Sequence, residues 1–152
     1  MEKLIKELYD EWKVDSHLTE PEYIKFVKDS YQVLVEKAKL GKIIFYGELP
    51  AFNQLKERFK DTASKLIGFI VGACSEYETT KGRPLISAIV ISKDASEPGR
   101  GFYSLSAVPH NLCLDTWEGQ DIEPPKIVIN KRQEFWLSEL QETLEYWGKH
   151  DT

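Results

Sequence analysis

Apolar residues recur at helical spacing over most of the chain and run together in one central stretch. Leu4, Ile5, Leu8 and Trp12 share one face, which predicts a short amphipathic helix over 2–13. Residues 14–18 read as a linker. Thr19-Glu20-Pro21-Glu22 then opens a longer helix over 21–40. Thr19 is placed to cap it, Glu22 completes a capping box, and Pro21 falls in the first turn, where a missing N–H costs little. Tyr23, Phe26, Val27, Tyr31, Leu34, Val35 and Ala38 make its apolar face, and Gly41 stands where a C-terminal cap belongs.

Lys42-Ile43-Ile44-Phe45 predicts a short strand. Tyr46-Gly47-Glu48-Leu49 leads into a second helix over about 47–57, with Leu49, Phe52 and Leu55 inward and Pro50 near its start. Phe59-Lys60-Asp61 is a turn. Asp61 or Thr62 caps a third helix that extends to about Glu76, and Ala63, Leu66, Ile67, Ile70, Val71 and Cys74 form its buried side. Gly68 and Gly72 lie on another face of that helix. Glycine weakens a helix interior, so a close-packed neighbour is expected there.

From Leu85 to Ile91 the chain is rich in Ile and Val, as a buried strand is. Pro98-Gly99 and Gly101 mark a tight turn, and a second strand is expected over 101–107. Together these read as a strand, a turn flanked by Lys93 and Arg100, and a strand. Residues 108–125, with Pro109, Gly119 and Pro124-Pro125, predict irregular chain. Lys126-Ile127-Val128-Ile129 reads as a short strand or extended segment. Asn130 then caps a final helix with Gln133 at its third position; Phe135, Trp136, Leu140, Leu144 and Trp147 give it an aromatic face, and Gly148 ends it.

At 152 residues and 41% hydrophobic, the chain is long and apolar enough for one folded domain over 1–152. No apolar run approaches the length of a membrane span, and residues 1–13 lack the apolar core of a signal peptide, so the expected location is the cytoplasm with no membrane partner. Cys74 and Cys113 make no disulfide framework, although a single disulfide stays open. The net charge of −5 argues against non-specific coating of nucleic acid. Its distribution matters more: residues 41–105 carry +2, against −2 for 1–40 and −5 for 106–152. A mildly basic middle between acidic flanks permits a nucleic-acid surface there without requiring one.

The order helix, strand, helix, turn, helix, strand, turn, strand over 21–107 resembles a winged helix-turn-helix. Four motifs narrow the resemblance: Ile44-Phe45-Tyr46-Gly47-Glu48-Leu49, the helix opened by Asp61 with Gly68 and Gly72, Arg83-Pro84-Leu85, and Gly99-Arg100-Gly101-Phe102. Over about 40–105 they are similar to the DNA-binding domain of alkylguanine-DNA alkyltransferases and their non-enzymatic alkyltransferase-like relatives. That resemblance implies a winged-helix scaffold on duplex DNA. The enzymes require Pro-Cys-His-Arg, with a Cys nucleophile activated by His. Here Ser87-Ala88-Ile89-Val90 stands in its place, and the His-Arg pair of the non-enzymatic relatives is also missing. The resemblance therefore implies scaffold without alkyl transfer. Tyr-Gly-Glu-Leu followed by Pro-Leu-Ile-Ser-Ala and a Pro-Gly-x-Gly-Phe turn is also similar to small or fused bacterial proteins near restriction and nuclease systems.

The fold expected is α+β: a winged helix-turn-helix-like core over about 21–107 with extra N-terminal and C-terminal helices, the last within an extension over 108–152. As a DNA reader it would put the first turn of the third helix into the major groove, with Thr62, Ser64 and Lys65 at bases or phosphates. Tyr46 would donate to a phosphate, Lys93 and Arg100 would contact backbone or minor groove from the wing, and Lys81 and Arg83 would add charge. Against this stands the plain reading in which all are surface residues and Tyr46 is a packed aromatic. Asp61 is a poor phosphate neighbour. His110, Cys113 and Asp115 are too few for a structural zinc and read as loop residues. No P-loop, dinucleotide, nucleophile-elbow or zinc-protease motif occurs, so no catalytic residue, metal or cofactor is expected. The leading function is a non-enzymatic DNA-binding protein acting on double-stranded DNA. The alternative is a module that docks a protein partner or a second copy through its acidic flanks and aromatics.

Overall fold

The computed structural model describes residues 1–113 and 124–149. Its helices are α1 (Glu2–Glu11), α2 (Glu20–Lys39), α3 (Pro50–Phe59), α4 (Ala63–Thr80) and α5 (Lys126–Lys149). The strands β1 (Ile44–Phe45) and β2 (Val90–Ile91) are two residues each. The result is mostly helical, an α+β arrangement with one small sheet.

The expected capping of α2 is present. Glu22 N–H donates to Thr19 Oγ1 at 3.3 Å, and Thr19 N–H donates to Glu22 Oε1 at 3.0 Å. Gly41, at φ +71°, takes the left-handed position after the helix, where a side chain would be strained. Helix α4 lies centrally, against α2 and α3, with Leu66, Ile67, Ile70, Ala73 and Cys74 buried. Each large aliphatic side chain buried in this way contributes about 1.5–3 kcal/mol relative to exposure. Gly72 does admit a close neighbour: a Cβ there would meet Trp12 and Leu105 at 3.4 Å. Gly68 has open space instead, so the expected packing holds at one glycine of the pair.

The central correction concerns the expected hairpin. Residues 85–92 and 101–107 do not form paired strands. Ile86–Ile89 is a 3-10 turn, the strand is limited to Val90–Ile91, and Arg100–Ser104 is another 3-10 turn. β2 pairs instead with β1, in parallel, with Ile44 opposite Val90 and Phe45 opposite Ile91. The reason lies in who satisfies the backbone of 85–89. Ser87 N–H donates to Ser75 Oγ at 2.8 Å. Ala88 N–H donates to Leu85 O at 3.0 Å. Trp136 Nε1–H donates to Ala88 O at 2.9 Å, and Thr143 Oγ1–H donates to Leu85 O at 3.1 Å. Side chains of α4 and α5 thus replace the ladder partners that a strand would need. Ile86, Ala88 and Ile89 are fully buried beneath them.

The segment expected to be extended at 126–129 is the first turn of α5. Pro125 O accepts from Val128 N–H at 2.9 Å, so the helix starts earlier and Asn130 is internal to it. Gly148 is likewise inside α5, and α4 runs past Glu76 to Thr80.

That last extension carries Glu78 into the core with no exposure. Gly82, at φ +68°, turns the chain so that Arg83 returns onto it. Arg83 Nε donates to Glu78 Oε2 at 2.6 Å and its NH2 group donates to Oε1 at 3.2 Å. Tyr31 of α2 donates its hydroxyl to the same carboxylate. The guanidinium carbon lies 5.7 Å from the ring centroids of both Tyr77 and Trp147, within cation–π range of each. One ion pair therefore ties α2, α4 and α5 together. Burial pushes the Tyr31 hydroxyl pKa up, and its bond to Glu78 raises it further, so Tyr31 remains a donor.

Removing Arg83 alone strands a buried charge. Arg83→Met is expected to cost about 3–5 kcal/mol in urea unfolding, and the double variant Glu78→Gln/Arg83→Met is expected to lose clearly less. Equal losses would show that the pair is not coupled. Glu139 gives a pH-dependent test. Burial raises its pKa, offset in part by the N–H of Leu85 and reinforced by Glu142. A carboxyl raised in the folded state stabilises below its unfolded pKa and loses that contribution as pH rises through the folded one. Glu139→Gln is thus expected to melt higher than the parent chain at pH 7, with the gap closing toward pH 4.

Candidate nucleic-acid interface

Helices α3 and α4 are joined by the short turn Lys60–Thr62, and they pack on one another. Leu49, Ala51 and Leu55 on one side, and Ala63, Leu66 and Ile67 on the other, bury the inner faces and leave the elbow outside. Lys60 adopts φ +48° there, a left-handed-side conformation uncommon for a residue with a side chain. Thr62 precedes α4 without making a side-chain cap, contrary to the expected capping by Asp61 or Thr62. Ser64 and Lys65 are exposed on the first turn of α4. Lys65 Nζ lies 5.8 Å from the Phe69 ring centroid.

Tyr46 sits in a 3-10 turn after β1, half-buried. Its hydroxyl oxygen accepts from Gly99 N–H at 3.0 Å. Burial raises its pKa, and the bond from Gly99 offsets part of that rise, so the hydroxyl keeps its proton. The Gly99 requirement is spatial: φ is −60°, but a Cβ would meet Tyr46 Oη at 2.7 Å. Arg100 follows immediately and is exposed. Lys93 is exposed in a closed loop after β2, where Ser92 N–H donates to Glu97 O and Ser96 N–H donates to Ser92 O, both at 2.8 Å. This loop is what the sequence presented as the turn of a hairpin.

The expected residues therefore fall into two groups. Thr62, Ser64 and Lys65 stand together at the elbow, while Tyr46 anchors the turn that presents Arg100. Arg83, expected to add surface charge, is committed to Glu78, and Lys81 lies over the Tyr77 ring at 5.7 Å. Arg58 is held by Glu22 at 2.5 Å. The Thr19 amide, then Arg58, draw the Glu22 carboxyl below its ordinary range.

A depression of about 360 Å³ opens at the elbow, lined by Phe52, Lys56, Lys60, Asp61 and Ser64. Phe52, Lys56 and Lys60 were not among the expected site residues. Periodicity could not have grouped them, because Phe52 and Lys56 lie on α3, Lys60 in the turn and Ser64 on α4. Ser87, at the position where the alkyltransferases carry their reactive cysteine, is buried and hydrogen-bonded to Ser75 at 2.6 Å. Cys74 is also buried, which pushes its thiol pKa up. Both cysteines are free. Cys113 O accepts from Arg132 at 3.4 Å, and Asp115 lies outside the described residues. Among the described residues no group of His, Cys, Asp and Glu is arranged to hold a metal ion, and no helix is long and apolar enough to cross a membrane.

The contact between Tyr46 and Gly99 is open to a double-mutant cycle. Tyr46→Phe should cost about 1 kcal/mol by leaving the Gly99 amide without its acceptor. Gly99→Ala should cost about 1–3 kcal/mol through overpacking, and less in the Tyr46→Phe background, where the crowding oxygen is gone. Additive losses would show that the two positions do not communicate. No family model, curated protein or solved structure matches this chain.

Proposed function

We propose that this chain is a non-enzymatic, winged-helix-like DNA-binding protein or accessory module that acts on double-stranded DNA. The observation that carries the reading is the α3–turn–α4 elbow, a helix-turn-helix whose outer side carries Lys56, Lys60 and Lys65. In this reading the first turn of α4 enters the major groove, with Thr62, Ser64 and Lys65 at the DNA. The closed loop after β2 takes the place of a hairpin wing, with Lys93 and Arg100 toward the backbone. Tyr46 acts on the site mainly by fixing the Gly99 turn, and its retained proton leaves it able to donate to a phosphate. The enclosure of 85–89 under α5 supports a scaffold role without alkyl transfer. The resemblance of its Tyr46-Gly47-Glu48-Leu49 and Pro98-Gly99-Arg100-Gly101-Phe102 motifs to bacterial restriction and nuclease-associated proteins favours an accessory role in such a system.

A second reading has its own observation. Leu40, Ile43, Ile127, Ile129 and Leu137 are exposed, at 44–63%. Apolar side chains at the surface favour docking of a protein partner or a second copy.

Fluorescence anisotropy with a labelled duplex separates the two. The DNA reading expects salt-sensitive binding, weakened roughly three- to tenfold by Lys65→Ala and by Arg100→Ala, each lowering the salt slope by about 1. Absence of binding at low salt, together with a mass that grows with concentration, would replace it with the docking reading.

A further inference from the structure

The depression at the elbow deepens the DNA reading, and the inference rests on that reading. We propose that it holds one unstacked nucleotide of a DNA strand, so that the protein prefers DNA with a single-stranded end over a fully paired duplex. The volume of about 360 Å³ is at the small end of ligand-sized clefts and accommodates a single nucleotide. Its lining has the parts a nucleotide needs. Lys56, in the last turn of α3, and Lys60, in the turn that follows, are both exposed and both line the depression, where their ammonium groups offer two cations to a phosphate. Ser64 adds a hydroxyl donor from the first turn of α4. Phe52, half-buried against the core, supplies an aromatic wall for a base. Asp61 supplies a carboxylate that accepts from an exocyclic amine.

Asp61 is awkward in a site for phosphate alone, because it opposes the lysines. It is useful once a base enters beside the phosphate. Cytosine and adenine carry an exocyclic amine and thymine does not, so the carboxylate discriminates between them. Arg58, the other cation near the end of α3, is withdrawn by Glu22 and by the Phe59 ring at 4.8 Å, which leaves the lysines as the phosphate ligands. In a paired duplex the base faces are covered by their neighbours and do not reach Phe52.

The test compares three labelled DNAs with the full chain at one salt concentration: a blunt duplex, the same duplex with a short dC overhang, and the same with a dT overhang. The dC overhang is expected to bind about tenfold tighter than the blunt duplex. In Lys56→Ala/Lys60→Ala the ratio of overhang to blunt-duplex affinity is expected to fall to about one, on top of a loss of affinity common to all three DNAs. Asp61→Asn is expected to erase the preference of dC over dT. Because Phe52 also packs on the core, the two exposed lysines carry the test, and an unchanged Tm certifies the fold. Blunt-duplex binding with no gain from either overhang overturns the nucleotide site and leaves the DNA reading standing. A gain that survives the lysine pair overturns it too, since the nucleotide then lies elsewhere. No binding to any of the three overturns both.

Discussion

Glu78 places a carboxylate where water does not reach, and the surrounding structure is arranged to make that tolerable. Tyr31 reaches it from α2, Arg83 from the connector after α4, and the rings of Tyr77 and Trp147 both lie near the guanidinium. Such a pair adds little net stability over an apolar core, but each half left alone is costly. Its effect is therefore one of specification. It fixes where α4 stops, how Gly82 turns the chain, and where α5 lies against α2.

Arg83 leads directly into Leu85–Ile89, the most enclosed stretch of the connector. Its backbone bonds go to Ser75, Thr143 and Trp136, from helices that the ion pair has already brought together. With those partners supplied, β2 begins only at Val90 and pairs with β1 rather than with the chain that follows it. That pairing brings the end of β1 beside the outgoing chain, where Tyr46 accepts the Gly99 amide and sets the turn before Arg100. The core thus positions one exposed basic element, while α3 and α4 position the other at the elbow.

Much of this was legible in the sequence where periodicity and end signals agree. The capping box at Thr19 and Glu22, the apolar stripe of α4 and the turn between α3 and α4 all follow from local chemistry. The segment at 85–91 was misleading because a buried Ile/Val run has the same composition whether it is a strand or a 3-10 turn. What decides is the partner of each backbone group, and the side-chain partners Ser75, Trp136 and Thr143 are 12 to 58 residues away. Lys126–Ile129 misled in the same way. The ion pair left a trace that was readable: Ile67, Val71, Cys74 and Glu78 continue one helical stripe. A carboxylate at the next position of a buried face, with Arg83 beyond a glycine, announces a buried pair. At the candidate site, sequence order grouped Thr62, Ser64 and Lys65 correctly, but the cleft with Phe52, Lys56 and Lys60 depends on how α3 meets α4.

The charge pattern closes the argument. Within the middle segment Arg83 and Glu78 cancel one another, and Arg58 is matched at the surface by Glu22 of α2, so part of the +2 balance is already answered by the fold. Lys56, Lys60 and Lys65 are exposed at the elbow, beside Asp61 and Glu57. A specific, modest electrostatic contact fits this better than general adhesion to nucleic acid. The most direct measurement is a map of backbone-amide chemical shifts as duplex DNA is titrated into the labelled protein at low salt. The account predicts saturable shifts at residues 60–66 and 99–101, with the amides of α5 unmoved. Shifts confined to α5 and the exposed apolar residues, or none at all, would contradict it.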